Sequence, residues 1–230
     1  SYEAGDNMLN VAVSADGEYI VAGSYDEYLY FFEKDSNTVL WSSNIGYVFS
    51  VAISDDGEYI VAGSENEKVY LYNKDSGTPL WSYDTGDFVQ SVAISVDGEY
   101  IAVGGDNDKI YLFGKDSNTP IWTYETDANI KSVSISADGE YIVVGTVDDK
   151  AYLFDKDSST PVWSYETTNG DVLSITISAD GKYIAAGSGN DKIYLFDRDS
   201  STPLWNYNID ATVKTVSISA DGEYIAAGDN

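Results

Sequence analysis

Residues 91–122 read SVAISVDGEYIAVGGDNDKIYLFGKDSNTPIW, and this stretch decides the fold. It contains four apolar runs rich in β-branched and aromatic residues: SVAIS, YIAVGG, IYLF and PIW. The segments between them, VDGE, DNDK and GKDSNT, carry the residues that favour turns. Short apolar runs with turn signals at a spacing of about 8–12 residues are typical of antiparallel meanders. The stretch therefore predicts a four-stranded antiparallel sheet.

The same pattern recurs along the whole chain of 230 residues. An Asp-Gly pair returns every 40 to 42 residues, and its glycines are Gly17, Gly57, Gly98, Gly139, Gly181 and Gly222. Five tryptophans keep the same spacing: Trp41, Trp81, Trp122, Trp163 and Trp205. Such a period is typical of repeat architectures, in which each unit buries its apolar face against a neighbour. We divide the single domain 1–230 into repeats of about 1–41, 42–81, 82–122, 123–163 and 164–205, with a partial repeat 206–230.

The order of strands within a repeat follows from proline and from apolar patterning. Pro79, Pro120, Pro161 and Pro203 stand at the start of the fourth run, where a missing N–H is tolerated only on an outer edge. The SVAIS run is then innermost. The second run is apolar on both faces and needs cover on both, which blades arranged around an axis provide. We expect an all-β fold, a β-propeller of four-stranded antiparallel blades, with five complete blades, a partial sixth, and each tryptophan filling the gap between neighbouring blades.

The partial sixth repeat leaves three arrangements open. The chain belongs to a larger propeller of seven or eight blades, its ends meet in a defective sixth blade, or its exposed edge pairs with another chain.

Two stretches carry a resemblance to known repeats. Residues 178–197, SADGKYIAAGSGNDKIYLFD, resemble the WD40 repeat, with Phe196-Asp197 in the place of its Trp-Asp. Residues 152–165, YLFDKDSSTPVWSY, are similar to the quinoprotein (PQQ-type) repeat, and Thr85-Gly86 keeps the Thr-Gly that follows its tryptophan. The resemblance implies a β-propeller repeat protein of the prokaryotic surface type. It leaves function open, because WD40 propellers mostly act as interaction platforms whereas quinoproteins oxidise alcohols or sugars.

The absence of histidine also departs from the WD40 pattern, in which a histidine joins a buried hydrogen-bond network. Asx residues hold the partner position of that network in this chain: Asp26, Asn66, Asn107, Asp148 and Asn190. We therefore expect a different network.

Composition excludes several classes of function. The chain has 12 basic and 39 acidic residues, a net charge of -27, and neither cysteine nor histidine. Disulfides, Cys/His zinc sites, and Cys-His or Ser-His-Asp catalysis are excluded. The charge repels nucleic acid and anionic membranes, and no apolar run approaches the ~18 residues of a membrane-spanning helix. The composition is typical of an extracellular or cell-surface protein, and it also suits a cytoplasm of high salt.

Acid/base hydrolysis by two carboxylates, as in glycosidases, is the enzyme hypothesis that this composition favours most. However, the Asp16, Glu18 and Asp35 series recur once per repeat, whereas a catalytic pair should be singular. We therefore assign no catalytic residue, metal or cofactor. A carboxylate hydrolase or degenerate quinoprotein remains one alternative, and a recently amplified or engineered propeller without a specific activity remains another.

Differences between the near-identical repeats indicate a binding surface. The residue before the inner strand and the tip of the second hairpin change from copy to copy, and both positions lie on one face of the disc. The candidate partner-binding residues are Tyr25, Tyr47, Phe49, Glu65, Phe88, Gln90, Asp106, Lys131, Leu173 and Lys214. We expect a non-catalytic interaction or assembly scaffold that binds a protein partner, or its own oligomer, through this face or the incomplete blade edge.

Overall fold

A computed structural model describes residues 2–229, and all regular structure within them is β-strand. The innermost strands are β1 (Met8–Val13), β5 (Val48–Ile53), β9 (Val89–Ile94), β13 (Ile130–Ile135), β17 (Val172–Ile177) and β21 (Thr215–Ile218). The second strands are β2 (Tyr19–Ser24), β6 (Tyr59–Ser64), β10 (Tyr100–Gly105), β14 (Tyr141–Thr146), β18 (Tyr183–Ser188) and β22 (Ile225–Gly228). The third strands are β3 (Tyr28–Glu33), β7 (Lys68–Asn73), β11 (Lys109–Gly114), β15 (Lys150–Asp155) and β19 (Lys192–Asp197). The outer strands are β4 (Val39–Asn44), β8 (Trp81–Asp84), β12 (Trp122–Glu125), β16 (Trp163–Glu166) and β20 (Trp205–Asn208).

The strands form five four-stranded sheets in sequential order and a two-stranded sheet of β21 and β22. Every pair is antiparallel, as in β5–β6 and β6–β7. The innermost strands of successive sheets contact one another, β1 with β5, β5 with β9 and so on to β21. The predicted propeller-like repeat fold, with the SVAIS run inside and the tryptophan run outside, is confirmed. Residues 2–229 contain no helix long and apolar enough to cross a membrane.

The hydrophobic core lies between blades rather than within one blade. One cluster joins Val21 and Phe31 of the first blade to Val51, Ile60 and Tyr72 of the second. Equivalent clusters join the second blade to the third, the third to the fourth and the fourth to the fifth. Each blade is therefore buried by its neighbours, as the apolar second strands predict.

The Asp-Gly turns have a hydrogen-bonding pattern that explains why they recur. Ser14 Oγ donates to Asp16 Oδ1 at 2.6 Å and accepts the Tyr19 N–H at 3.0 Å, while Asp16 Oδ1 accepts the Glu18 N–H at 2.9 Å. The Ser-Asp bond recurs at 2.6 Å in all six turns. The following glycine, Gly57 for example, has a φ of 72°, and a Cβ there would lie 2.5 Å from the Tyr19 ring of the preceding blade. Only glycine meets both requirements without strain.

The tryptophans close the junctions between blades, as predicted. Trp41 stacks on Phe31 of its own blade at 5.0 Å and on Tyr72 of the next blade at 5.3 Å. Its Nε1–H donates to the Lys74 carbonyl of that next blade at 2.7 Å. The same indole bond recurs from Trp81, Trp122 and Trp163.

Two further series of bonds link the blades. Near the axis, Ser50 Oγ accepts the Val92 N–H of the next blade at 3.1 Å, and the equivalent bond recurs in the following blades. On the face that carries the Asp-Gly turns, Ala15 N–H donates to the Asp55 carbonyl at 3.0 Å, and Asp55 N–H donates to the Val96 carbonyl at 3.1 Å. Between the second and third blades, for example, these two series and the indole bond at the rim all join the two neighbours.

The prolines require a correction. They lie two residues before the outer strand rather than at its start, since Pro79 precedes a strand that begins at Trp81. The first repeat has Val39 at the equivalent position, and its outer strand begins there and is six residues long instead of four. Proline lacks the N–H that would extend the ladder, so it shortens the outer strand.

The first blade and the last strands show what burial a neighbour provides. Val11 of β1 is 62% exposed, whereas Val51, its equivalent in the second blade, is 6% exposed. Trp205 of β20 is 42% exposed, whereas the four preceding tryptophans are half-buried. How the ring is completed stays a prediction.

Candidate protein-binding face

The ends of the blades opposite the Asp-Gly turns form what we call the upper face. It consists of the connections from second to third strands, such as 25–27, and of the loops from outer to inner strands, such as 45–47. A meander alternates its turns between two ends, so both kinds of connection lie on the same face. All ten candidate partner-binding residues lie on or beside it.

Four of the candidates are the extra residues of β-bulges. Val48 pairs with Ser64 and Ser50 with Gly63, which leaves Phe49 without a partner on β6. The same shift occurs at Gln90, Lys131 and Leu173. The expectation that these residues precede the inner strand is therefore wrong, since they lie within it. Because a bulged residue leaves the regular ladder, its side chain can be re-aimed, here near the end of the strand at the upper face.

Four aromatic candidates form two pairs, which we call the aromatic sector. Tyr25 and Tyr47 meet edge to face with ring centroids 5.3 Å apart, and Phe49 and Phe88 are 6.0 Å apart. Tyr25, Tyr47 and Phe88 are 39%, 36% and 40% exposed, and Phe49 is half-buried. Glu65 Oε1 accepts the Tyr47 N–H at 3.3 Å, which places its carboxylate beside the first pair. The sector spans the first three blades.

Three polar candidates meet at the next junction. Asp106 accepts a hydrogen bond from Gln90 Nε2 at 2.8 Å and lies 3.5 Å from Lys131 Nζ of the fourth blade. Asn129 Nδ2 also donates to Asp106, at 3.0 Å. We call Gln90, Asp106, Asn129 and Lys131 the polar cluster. It fixes the bulge side chains of two neighbouring blades to one carboxylate.

Asn129 was missed by the sequence analysis. It occupies the same position as Tyr47 and Phe88, immediately before an innermost strand, and this position also differs between repeats. The variation of this position between the repeats is the sequence signal that would have identified Asn129. Asn7, Asp171 and Thr212 are its other equivalents.

The last two candidates lie further around the disc. Leu173 is half-buried at the bulge of β17, and Lys214 is exposed immediately before β21. Lys214 N–H donates to the Gly228 carbonyl at 2.9 Å. Among residues 2–229, no recorded side-chain hydrogen bond or ion pair joins either residue to the aromatic sector or the polar cluster. The structure thus brings together candidates of the first four blades only.

An Asx-tyrosine network supports the second hairpins beneath this face. Asn107 Nδ2 donates to the Tyr111 hydroxyl at 2.8 Å and to the Thr85 carbonyl at 2.6 Å. In the first blade, the Tyr30 hydroxyl donates to Asp26 at 2.8 Å. Burial, followed by this bond, raises the pKa of Tyr30 above its ordinary value. A hydrogen-bond network without histidine is therefore present at these hairpins, as the sequence led us to expect.

Two of the three carboxylate series considered for hydrolysis lie in the framework of the blades, whereas the Asp35 series is exposed at the turns from third to outer strands. The Asp16 series accepts the turn bonds described above, and Glu18, Glu58, Glu99 and Glu140 pair with lysines at the adjoining turn. Two concavities, of about 260 and 330 Å³, lie on the open side of the first blade and at its junction with the second. Neither is lined by an upper-face candidate. Within residues 2–229, no group of three or more Asp or Glu residues is placed to hold a metal ion.

Comparison with known proteins agrees with this architecture. No curated protein matches the chain at a significant level. A family model of PQQ-repeat proteins, described as outer membrane protein assembly factor BamB, matches residues 5–95 and 65–229. The two matches overlap, as expected for a sequence that repeats itself, and together they cover nearly all of the chain. The chain therefore belongs to the PQQ-repeat family described as outer membrane protein assembly factor BamB.

Proposed function

We propose that this chain is a non-catalytic interaction or assembly scaffold that holds a protein partner on its upper face. One observation carries the proposal: the bonds within and between blades recur from repeat to repeat, whereas the bulge and loop side chains of the upper face vary between the repeats. Several of these varied side chains contact one another, in the aromatic sector and in the polar cluster.

The framework beneath the face favours binding by a rigid surface. Backbone bonds between turns, indole bonds and axial serine bonds join neighbouring blades, so a partner would meet a surface whose backbone is already held in place. Pre-ordered groups lose little conformational entropy on binding. Aromatic residues such as Tyr25 and Phe88, half-exposed on such a surface, are the kind of residue that supplies most of the binding energy at interfaces.

The family assignment supports a role in assembly. The matched family is described as an outer membrane protein assembly factor, which places that protein's role at the cell envelope. We propose an envelope or cell-surface location for this chain as well. The net charge of -27 supports a protein partner rather than a nucleic acid, because phosphate backbones would be repelled.

The experiment is a selection of binding peptides from a random-sequence library on the immobilised protein. Selected peptides are then measured against Phe49→Ala/Lys131→Ala, which removes one bulge residue from the aromatic sector and one from the polar cluster. The control is Leu80→Ala/Lys182→Ala, which removes the same classes of side chain from the outer rim and from the face with the Asp-Gly turns.

We expect the upper-face variant to weaken binding roughly tenfold or more, since truncation of an interface anchor costs more than about 1 kcal/mol. The control should change affinity less than about twofold, and both variants should keep the thermal midpoint of the parent. Peptides that bind the upper-face variant as tightly as the parent would overturn the proposal.

A further inference from the structure

We infer that the aromatic sector binds a basic, extended segment of the partner protein. This inference rests on the proposed function and names the chemistry of the partner for Tyr25, Tyr47, Phe49 and Phe88. It follows from three features of the first three blades: the path of the rings, their lack of a cation, and the local balance of charge.

The rings form a track rather than a single pocket. Tyr47 and Phe49 are separated only by Val48, yet Tyr47 meets Tyr25 of the first blade and Phe49 meets Phe88 at the entry to the third. Tyr47 therefore extends the aromatic surface across the first blade junction, and Phe49 extends it across the second. A surface of this shape fits a chain in extended conformation, whose alternate side chains can each meet one ring pair.

Four tyrosine rings elsewhere in the described chain already carry a cation of the protein itself. Lys74 lies 5.6 Å from the centre of the Tyr19 ring, and Arg198 lies 4.5 Å from that of Tyr141. All four such contacts among residues 2–229 involve tyrosines that follow the Asp-Gly turns, at the face opposite the aromatic sector. The upper-face rings have no such contact within the described chain. Their faces attract Lys or Arg from outside, because a ring quadrupole favours a cation within about 6 Å.

The local charge favours the same partner. At the start of the third strand, the first three blades carry Tyr28, Lys68 and Lys109, so two lysines stand at this position against the carboxylates of the same blades. The lysines among the candidate residues belong to later blades, Lys131 to the fourth and Lys214 to the sixth, and Lys131 already pairs with Asp106. Six carboxylates lie on or beside the turns and loops of the same three blades at the upper face, and Glu65 contacts the Tyr47 N–H: Asp6, Glu27, Glu65, Glu67, Asp84 and Asp87.

Distance limits how far the charge of the rest of the molecule can act. The Debye length is about 8 Å at physiological ionic strength, so the charges beside the rings act on a docked segment more than the distant charges do. A basic segment would therefore be held by carboxylates and rings of the first three blades together, rather than by the net charge of the protein.

The experiment measures binding of a fluorescein-labelled peptide of four Arg-Ser-Gly repeats by fluorescence anisotropy, at about physiological ionic strength. A peptide of four Glu-Ser-Gly repeats is the matched probe of opposite charge. Tyr47→Ala/Phe88→Ala removes one exposed ring from each pair. Glu27→Gln/Glu67→Gln removes two carboxylates of the upper face, and Asp75→Asn/Asp116→Asn makes the same change in net charge at exposed turns of the opposite face.

We expect the arginine peptide alone to bind. The ring variant should weaken it roughly tenfold or more, and the upper-face charge variant should weaken it several times more than its opposite-face control. Circular dichroism melting checks that every variant keeps its fold. Equal effects of the two charge variants, or no effect of the ring variant, would mean diffuse attraction to an acidic protein and would overturn the inference.

The two proposals fail in different ways. One outcome is that the arginine peptide does not bind, but peptides from the random library bind the parent and bind Phe49→Ala/Lys131→Ala more weakly. In that case the basic partner is wrong and the scaffold function stands. If library peptides also bind Phe49→Ala/Lys131→Ala as tightly as the parent, both proposals are wrong.

Discussion

Removing one tryptophan from a blade junction should lower the free energy of unfolding by the contribution of its contacts with the next blade. Trp122 donates its Nε1–H to the Lys156 carbonyl at 2.7 Å and stacks 5.4 Å from Phe154, and both partners belong to the next blade. Trp122→Phe keeps an aromatic ring but leaves that carbonyl without its indole donor. Trp122→Ala removes the stacking as well.

The expected cost follows from these two losses. Loss of a hydrogen bond that leaves one partner unsatisfied costs about 1–3 kcal/mol, so we expect about 1 kcal/mol for Trp122→Phe at this half-buried position. A buried tryptophan truncated to alanine costs about 3–5 kcal/mol, and we expect about 3 kcal/mol for Trp122→Ala because the side chain is half-buried. For a chain of this size, 1 kcal/mol lowers the Tm by roughly 2–4 °C.

The matched control is Trp205→Ala. Trp205 occupies the equivalent position in the fifth blade but is 42% exposed, and it makes no recorded indole hydrogen bond among the described residues. Its truncation should cost less than about 1 kcal/mol. Urea unfolding and calorimetry of the three variants provide the measurement. Equal destabilisation by Trp205→Ala and Trp122→Ala would refute the idea that the next blade, rather than the tryptophan's own sheet, makes the contribution.

Three further predictions concern the turns and the axis. Gly139→Ala should destabilise more than Gly17→Ala in urea: both glycines have φ near +72°, at 73° and 72°, but a Cβ at Gly139 lies 2.5 Å from a tyrosine ring, whereas at Gly17 nothing lies within 4 Å. The Ser178 hydroxyl holds the pKa of Asp180 below its ordinary value, so this contribution to stability is present above that ordinary value and is lost as pH falls through the lowered pKa. Urea midpoints measured against pH should therefore fall in acid, and less steeply for Ser178→Ala. Ser91→Ala removes the acceptor of a backbone N–H of the next blade at 3.0 Å and should cost about 1–2 kcal/mol, with faster hydrogen exchange of that amide.

Much of the fold could be predicted because its causes are local. The turn at Asp16-Gly17, where the glycine has a positive φ, is a property of a few neighbouring residues, whereas the exact start of the outer strand after Pro79 was predicted two residues too early. The period of the repeat then predicted that the tryptophans lie between blades, since no single sheet could bury them. The family comparison and the strand order agree with both conclusions.

The bulges could not be predicted in the same way. Whether Phe49 precedes a strand or lies unpaired within it depends on which residue of β6 faces it, and that register is a property of two strands rather than of one. The contact of Asn129 with Asp106 likewise joins two blades that are separate in sequence. Repeats reveal which positions vary, but only the folded structure reveals which of the varied side chains meet.

Amide hydrogen exchange, with and without the tightest peptide from the random library, tests most directly whether the varied side chains form one binding surface. If the upper face is the binding surface, exchange slows at its loops, around Tyr47, Phe88 and Asn129, and stays unchanged at the Asp-Gly turns. Protection confined to the turns around Asp16 and its equivalents, or to the outer strands, would show that the peptide binds elsewhere.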